Sequence, residues 1–449
     1  MVCISFDKGS LLIKGNVKTP YGKWDPRVGA YRAKSLYYMD ILDYFRESNF
    51  PLQDNVLKVP PLEVMLNKIS LRSYQKQALL NWNQNKNKGI IILPTAAGKT
   101  YVALKAISDM KTPTLIVVPT LDLIDQWKSR IKEFLGVEAG TIGGGEHTIR
   151  MITVSTYDSA YLKASVLGNK FTFLIFDEVH HLASQSYMQI GEMYVAPYRM
   201  GLTATYERID ERHKLLPNLI GNIVFSLDVE DLAGSYLSPY SYEKIYAKLN
   251  SAEQKKYIAN MRIYRNYLKD NRIFLRSAQD FQKFIMLTGR DPHARKALLA
   301  RNNALKIALN SEEKIKLLGT QLESHTGAKT LIFTLHNDLV YIISRKFLIP
   351  SITYQTPKDE RREILEKFKN GKYATLVTSQ VLDEGIDVPD ASVGYILSGT
   401  GSSREYIQRL GRLLRKVEGK KAKLYEIVSE ETVEVRISNR RSKKEKKAV

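Results

Sequence analysis

Cysteine is almost missing from this 449-residue sequence, in which Cys3 is the single example, so no disulfide can form within the chain. The same scarcity excludes zinc and iron–sulfur sites built only from cysteine, which need about four thiolate ligands. Long apolar runs are also missing, since the run at 112–121 is far shorter than the roughly 18 residues of a membrane-spanning helix. The N-terminus lacks the basic and then apolar layout of a secretory signal, so a cytoplasmic protein is expected. No structural metal is expected either.

Acidic residues are few relative to basic ones. The chain has 68 Lys and Arg against 47 Asp and Glu, which gives a formal net charge of +21. A surplus of this size indicates a polyanionic partner, and nucleic acid fits it best. The alternative is that the charge serves only solubility.

Two series of short apolar runs, each alternating with helical stretches, dominate the sequence. The first series lies at 89–93, 114–118, 151–155, 173–177 and 199–203. The second lies at 330–334, 351–355, 375–379, 393–397 and 422–428. Continuous apolar runs joined by helices are typical of parallel sheets buried on both faces. The predicted fold class is therefore α/β, with two doubly wound parallel-sheet domains.

The rest of the chain differs in composition from these two domains. Residues 1–65 predict a small α+β domain, with a hairpin-like start and a helix at 36–48, before a proline-containing linker. The segment 241–310 has a helical pattern and carries 15 Lys and Arg against 5 Asp and Glu. It is either a solvated helical insertion or a module that grips a phosphate backbone. The predicted boundaries are 1–65, 66–237, 238–310, 311–430 and a basic tail at 431–449 that is expected to fray.

The segment LPTAAGKT at 93–100 follows a predicted strand and precedes a predicted helix, which is the setting of a phosphate-binding loop. Its backbone N–H groups would face the phosphates at the helix N-terminus, with Lys99 adding charge and Thr100 holding Mg²⁺. The full pattern places glycine where Leu93 stands, and many such loops have glycine at the position of Ala96. We expect Ala96 and Ala97 to adopt negative φ with their methyl groups turned from the nucleotide. The loop residues are Leu93, Pro94, Thr95, Ala96, Ala97, Gly98, Lys99 and Thr100.

Two acidic residues, Asp177 and Glu178, stand at the end of the predicted strand 173–177. Ligands of open α/β sheets bind at the carboxyl ends of the strands. Asp177 can hold Mg²⁺ through water, and Glu178 can orient or deprotonate the attacking water. An acidic strand end followed by a helix cap would explain the pair alone. Catalysis is favoured because the pair comes 78 residues after Lys99, in a strand of the same sheet.

Three polar side chains in the second domain share one face of a predicted helix: Gln408, Arg412 and Arg415. Two arginines presented together suit the charge on a transferring phosphoryl group, where such a finger is worth roughly 10³ to 10⁵ in rate. The alternative for this stretch in isolation is a basic surface helix.

Together these segments resemble the motif series of superfamily 2 helicases of the DExH type, over about residues 66–430. The matching segments are LRSYQ (71–75), PTAAGKT (94–100), VVPTLDLIDQW (117–127), VSTYDSA (154–160), DEVHH (177–181), GLTAT (201–205), LIFTLHNDLVY (331–341), SQVLDEGIDVPDAS (379–392) and QRLGRLLR (408–415). The doubled histidine, the phrase at 379–394 and the basic insertion make the chain similar, more narrowly, to the archaeal XPB helicases.

The resemblance implies RecA-like motor domains, a thumb-like insertion at 238–310 and a damage-recognition-like domain at 1–65. It implies ATP and Mg²⁺ as cofactors, with ATP held between the motors, and DNA as duplex, fork or bubble, in repair such as nucleotide excision repair. A companion nuclease and a nucleoid-associated location follow from the same likeness. The catalytic residues implied are Lys99, Glu178, Gln408, Arg412 and Arg415. Arg72 and Gln75 would read adenine, Thr100 and Asp177 would hold Mg²⁺, and Asp387 would sense the nucleotide. The coupling residues implied are His180, Thr203, Ala204, Thr205, Arg208 and Asp210.

One departure from the family bears on strand separation. The family carries Arg-Glu-Asp where this chain has Arg208-Ile209-Asp210. Isoleucine can neither accept hydrogen bonds nor carry charge, so any role of the middle carboxylate is lost. A duplex translocase that remodels complexes or stimulates a nuclease without unwinding is therefore an alternative. A nucleic-acid scaffold with an inactive ATP site, suggested by Leu93 and Ala96, and RNA as the track are further alternatives.

Overall fold

A computed structural model of the chain describes residues 1–15, 17–61, 63, 65–208, 210–379, 391–399 and 421–442. These residues divide between Leu232 and Ala233 into two compact units. No helix in the described part is long and apolar enough to cross a membrane.

The first unit begins with a small five-stranded sheet whose order is β3-β4-β2-β1-β5, antiparallel apart from the β1–β5 pair. Its elements are β1 (Val2–Asp7), β2 (Ser10–Lys14), β3 (Lys23–Asp25), β4 (Ala30–Lys34), α1 (Tyr38–Glu47) and β5 (Leu52–Asn55). Alternate residues of β2, Leu11 and Ile13, are buried beneath Ile41 and Phe45 of α1. The helix predicted at 36–48 is therefore present, and it covers one face of the sheet.

This small sheet shares its packing with the larger sheet of the same unit. Val195 belongs to the core formed by β1, β2 and α1. The Asn169 side-chain amide donates a 2.8 Å hydrogen bond to the carbonyl oxygen of Val56. An ion pair of 2.7 Å joins Lys34 to Glu192.

The larger sheet has eight strands in the order β13-β6-β12-β11-β7-β10-β8-β9, all parallel except the β8–β9 hairpin. The strands are β6 (Lys88–Ile92), β7 (Thr114–Val118), β8 (Gly140–Gly143), β9 (Glu146–Thr148), β10 (Ile152–Thr156), β11 (Phe173–Asp177), β12 (Tyr198–Thr203) and β13 (Ile223–Ser226). The helices are α2 (Ser73–Gln84), α3 (Lys99–Met110), α4 (Leu121–Leu135), α5 (Tyr157–Leu162), α6 (Ala164–Leu167), α7 (Met188–Met193), α8 (Leu216–Ile220) and α9 (Val229–Leu232).

The central strands of this sheet explain the apolar runs of the sequence. Every residue of β7, β10 and β11 is buried, because helices cover both faces. The carboxyl ends of these parallel strands lie along one edge, and the segments that follow β6, β10, β11 and β12 therefore start from the same edge. Four of the sequence motifs follow these strands.

The second unit is built on a six-stranded sheet of order β14-β19-β18-β15-β17-β16 in which all described pairings are parallel. The strands are β14 (Tyr240–Ala247), β15 (Thr330–Phe333), β16 (Ser351–Ile352), β17 (Thr375–Thr378), β18 (Val393–Ile396) and β19 (Ala422–Ser429). The helices are α10 (Ser251–Asp270), α11 (Ala278–Leu287), α12 (Pro292–Leu309), α13 (Glu312–Ser324), α14 (Asn337–Phe347), α15 (Lys358–Lys369) and α16 (Val433–Ser442).

The helical insertion starts later than the sequence predicts. The sequence places its start at 238, but β14 pairs with β19 along its whole length and belongs to the sheet. The helical part begins at Ser251, where Asn250 caps α10. Tyr257 and Met261 of α10 pack against Ala304 and Ala308 of α12, and the small alanines allow the two helices a close approach.

The expectation that the tail frays is wrong for its first part, which forms α16. Glu434 is 1% exposed and pairs with the equally buried Lys314 at 2.7 Å. The Ser438 hydroxyl donates a 2.8 Å hydrogen bond to the buried carboxylate of Glu426. The net charge of the tail favours an unfolded segment. The buried hydrogen bonds and ion pair of Glu434 and Ser438 nevertheless hold this part of the tail as a helix. Residues 443–449 lie outside the described part.

Candidate active site

The segment after β6 forms a loop that ends where α3 begins, at Lys99. Leu93 directly follows β6 and is buried, and its N–H donates a 3.0 Å hydrogen bond to the carbonyl oxygen of Thr203. Gly98 has a φ of 79°, and a Cβ added there would lie 2.5 Å from Nε2 of Gln75. Glycine is therefore required at 98 by backbone conformation and by a side chain from α2.

The prediction of negative φ at both alanines is wrong for Ala96. Its φ is 68°, in the left-handed region, whereas Ala97 lies outside that region, and its N–H donates a 3.2 Å hydrogen bond to the Pro94 carbonyl. An L-residue with a Cβ pays roughly 1–2 kcal/mol for this conformation. Ala96 thus has the backbone of the glycine it replaces.

The loop presents donors without acceptors. Within the described residues, the backbone N–H groups of Gly98, Lys99 and Thr100 have no acceptor, and α3 begins without a side-chain cap. The buried Oγ1 of Thr95 likewise has no hydrogen-bond partner there. Lys99 Nζ donates to the Leu93 carbonyl at 3.1 Å. Unpaired N–H groups at a helix N-terminus, beside a lysine, fit a phosphate group.

The two residues predicted to read adenine, Arg72 and Gln75, lie beside this loop. The Gln75 Oε1 accepts a 2.9 Å hydrogen bond from the Arg72 N–H, and its Nε2 donates at 2.9 Å to the Ala97 carbonyl. The Tyr74 hydroxyl donates to the same carbonyl at 2.7 Å. Arg72 and Gln75 therefore stand beside the loop, while their contact with adenine stays a prediction. Tyr74 adjoins Gln75 in the motif at 71–75 but is not among the predicted site residues.

The strand-end carboxylate Asp177 is buried at the end of β11. Its Oδ2 accepts a 3.0 Å hydrogen bond from Trp127 Nε1 of α4, and its Oδ1 accepts one of 3.1 Å from the Glu178 N–H. Burial raises the pKa of the Asp177 carboxyl, while the Trp127 hydrogen bond and the charge of Lys99 favour the ionised form. Trp127 is the last residue of the segment 117–127, but it is not among the predicted site residues.

Two of the predicted coupling residues, Thr203 and His180, contact Glu178. Thr203 Oγ1 lies 3.4 Å from Glu178 Oε2 and 3.1 Å from His180 Nδ1, which itself lies 3.5 Å from Glu178 Oε2. The shortest contact of the Thr203 hydroxyl, 2.7 Å, is with the carbonyl oxygen of Thr205. Because a hydroxyl has one proton, that carbonyl is its better acceptor. Ala204 lies between the two threonines, at the end of β12.

The outer two residues of the Arg-Ile-Asp segment form a paired unit. Arg208 donates to both Asp210 oxygens at 2.9 and 2.7 Å, and its Nη1 donates to the His180 carbonyl at 2.8 Å. The guanidinium holds the pKa of Asp210 at about 2. Arg208 thus links this segment to the one that carries Glu178. Ile209 lies outside the described residues, as do the predicted site residues Asp387, Gln408, Arg412 and Arg415.

Family models match three parts of the chain. Residues 4–56 match the xeroderma pigmentosum group B helicase damage recognition domain, residues 68–208 the res subunit of type III restriction enzymes, and residues 313–417 the helicase conserved C-terminal domain. The ranges of the last two models include all nine segments that resemble helicase motifs.

Whole-chain relatives agree with these matches. The chain is 46% identical to the DNA 3'-5' translocase XPB2 of Sulfurisphaera tokodaii over 98% of its own length and 100% of that protein. It is 27% identical to the DNA 3'-5' helicase XPB of Kineococcus radiotolerans, over 81% of this chain and 60% of that protein. The crystal structure of the Pyrococcus furiosus Hef helicase domain resembles it with a TM-score of 0.54 at 18% identity, over 82% of this chain and 97% of that one. The last likeness concerns the fold, two RecA-like domains.

Proposed function

This chain belongs to the XPB family of DNA helicases and translocases, and on that basis we propose that it hydrolyses ATP to move on or open DNA. The names of its relatives give the direction as 3'-5'. The observation that carries the proposal is the edge of the larger sheet in the first unit. There, the loop that follows β6 has N–H groups without an acceptor among the described residues, and Asp177 and Glu178 stand at the end of β11.

Each residue at this edge has a chemical role in the proposal. Lys99 and the N–H groups of Gly98 and Thr100 bind the phosphates of ATP. Thr100 and Asp177 would hold Mg²⁺, which would neutralise charge on the phosphates. Glu178 orients the attacking water, and His180 Nδ1 lies 3.5 Å from its carboxylate. Asp387, Gln408, Arg412 and Arg415 remain predictions from the family resemblance.

Replacing Lys99 by alanine tests the proposal. Lys99→Ala should reduce DNA-stimulated ATP hydrolysis by at least about 100-fold, because the phosphates lose their charged partner. Affinity for DNA should stay unchanged. Phosphate release and fluorescence anisotropy with labelled duplex measure the two quantities.

Lys105→Ala is the matched control, since Lys105 lies on the same helix and pairs only at the surface with Asp109. It should leave turnover unchanged. If Lys99→Ala keeps wild-type turnover, the site assignment fails. If the wild-type protein binds DNA but hydrolyses no ATP, the chain is a nucleic-acid scaffold.

The segment Arg208-Ile209-Asp210 favours a second candidate, a duplex translocase that does not separate strands. The Arg208–Asp210 pair is present, but position 209 has no carboxylate. We expect ATP-dependent triplex displacement with little displacement of a strand from a fork. Efficient strand displacement in the same conditions would contradict this and support a helicase. Substituting Ile209→Glu should raise strand displacement if the missing carboxylate is the cause.

The match at residues 4–56 supports a role in DNA repair. A companion nuclease is part of the same proposal and rests on family resemblance. A pull-down from the source cell with the full chain, followed by nuclease assay on forked DNA, checks it.

A further inference from the structure

Tyr157 reaches from one strand end to the catalytic acids on another. It is the first residue of α5, directly after β10, where the Thr156 side chain caps the helix by accepting a 3.2 Å hydrogen bond from the Ser159 N–H. In the sheet, β7 separates β10 from β11. The Tyr157 hydroxyl spans this gap and lies 3.0 Å from the Asp177 carbonyl oxygen and 3.4 Å from that of Glu178.

The direction of this hydroxyl is fixed by packing. Tyr157 is 2% exposed. Its ring centroid lies 5.3 Å from that of Tyr187, 5.7 Å from that of His181 and 6.3 Å from that of Phe176. Tyr187 is itself held by a 2.6 Å hydrogen bond from its hydroxyl to Asp158, the neighbour of Tyr157. Because the ring is enclosed by these side chains, the Tyr157 hydroxyl has a single fixed position.

The backbone that receives this hydroxyl is strained. Glu178 has a φ of 49° and a ψ of 57°, the left-handed region that residues with a Cβ rarely adopt. Such a conformation persists only where the surroundings hold it. Besides Tyr157, the His181 N–H donates a 3.0 Å hydrogen bond to the Glu178 carbonyl. The direction of the Glu178 side chain depends on this backbone, and a displacement of about 1 Å can cost about 100-fold in rate.

We propose that Tyr157 is a positioning residue for ATP hydrolysis, whose hydroxyl holds the Asp177–Glu178 peptide so that the Glu178 carboxylate faces the attacking water. Tyr157 belongs to the segment 154–160, one of those that resemble helicase motifs. Its hydroxyl therefore joins this segment to the backbone of the acidic pair. The inference rests on the proposed ATPase function.

Tyr157→Phe tests it, since this change removes the hydroxyl and keeps the packed ring. At saturating DNA, kcat should fall about tenfold. This is less than the roughly 100-fold loss that a displacement of about 1 Å can cause. KM for ATP and the affinity for duplex DNA should stay within about twofold, because the phosphate loop is untouched. Steady-state phosphate release, anisotropy and thermal unfolding give these values.

Tyr194→Phe is the matched control. Tyr194 is equally buried, and its hydroxyl donates a 2.9 Å hydrogen bond to the carbonyl of Ala160, also in α5. It should lose comparable stability and keep the wild-type kcat. An unchanged kcat in Tyr157→Phe, an equal loss in both variants, or a loss confined to DNA affinity would each overturn the assignment. Wild-type turnover and its loss in Lys99→Ala, measured in parallel, show whether the ATPase function itself holds.

Discussion

Ala96 and Gly98 show how two similar backbone conformations place different demands on side chains. Both residues have positive φ, 68° and 79°. At Gly98 an added Cβ would meet Gln75, so glycine is required. At Ala96 a methyl group is present and half-buried, so the loop tolerates a small side chain there. The departure from the usual glycine therefore does not indicate a lost site.

Replacing Ala96 by glycine and by valine should have different effects on stability. Ala96→Gly should change the free energy of unfolding by less than about 1 kcal/mol, because relief of strain is offset by the greater freedom of glycine in the unfolded chain. Ala96→Val should destabilise by about 1–2 kcal/mol and lower turnover, since branched side chains strongly avoid this region. Thermal unfolding and ATPase rates check both. Equal tolerance of glycine and valine would show that the left-handed conformation is wrong.

Among the elements, α16 shows how a basic segment is anchored by a few acids. The Lys314 ammonium of α13 donates to both Glu434 oxygens, at 2.7 and 2.9 Å, and to the Leu397 carbonyl. The Ser429 N–H donates at 2.9 Å to Glu434 Oε2. Both charges are 1% exposed, so each depends on the other for compensation.

Removing one partner of this ion pair should lower the free energy of unfolding more than removing both partners. Lys314→Met leaves the Glu434 charge buried and should lower the free energy of unfolding by about 3–5 kcal/mol. The double variant Lys314→Met, Glu434→Leu should recover much of that loss. Urea unfolding followed by circular dichroism measures it.

Lys316→Met, on the same helix, is the control for Lys314. Lys316 is 53% exposed and its ion pairs lie at the surface, so the change should cost less than about 1 kcal/mol. A Lys314→Met variant as stable as this control would contradict the buried pair.

At the scale of the whole molecule, the net charge of +21 indicates DNA as the partner, and α10 concentrates part of it. This helix exposes five basic side chains, namely Lys255, Lys256, Arg262, Arg265 and Lys269. They face solvent, while Tyr257 and Met261 face α12. One helix thus combines a packed face with a basic face.

Neutralising the basic face should reduce the salt dependence of DNA binding. Replacing Lys255, Lys256 and Lys269 by glutamine should make the log–log slope of affinity against salt less steep by about 0.9 for each duplex phosphate that the protein no longer neutralises. Titrations with labelled duplex at several salt concentrations measure this slope. The same number of changes on α15, at Lys358, Arg362 and Lys369, should have a smaller effect. Equal effects on both helices would leave the insertion without a specific role.

The apolar pattern of the sequence predicts the two parallel sheets, and the acidic pair predicts where the candidate site lies. Apolar runs such as 114–118 and 173–177 match β7 and β11, because strands buried on both faces must be apolar throughout. The carboxyl end of a parallel strand is a fixed place in such a sheet, so Asp177 and Glu178 could be assigned to the candidate site from their position alone. The family was expected from the resemblance of these motifs to those of the DExH helicases.

Which groups hold the candidate site together is visible only in the folded chain. The hydrogen bonds of Trp127 with the Asp177 carboxylate, of Tyr157 with the Asp177 carbonyl and of Gln75 with Ala97 join residues from separate elements. Likewise, β14 pairs with β19 across nearly two hundred residues, and Ala96 takes its φ from the loop around it. Local pattern states which face of an element is apolar. It does not state which distant groups will meet there, because strand order and the closure of long loops depend on the folded chain as a whole.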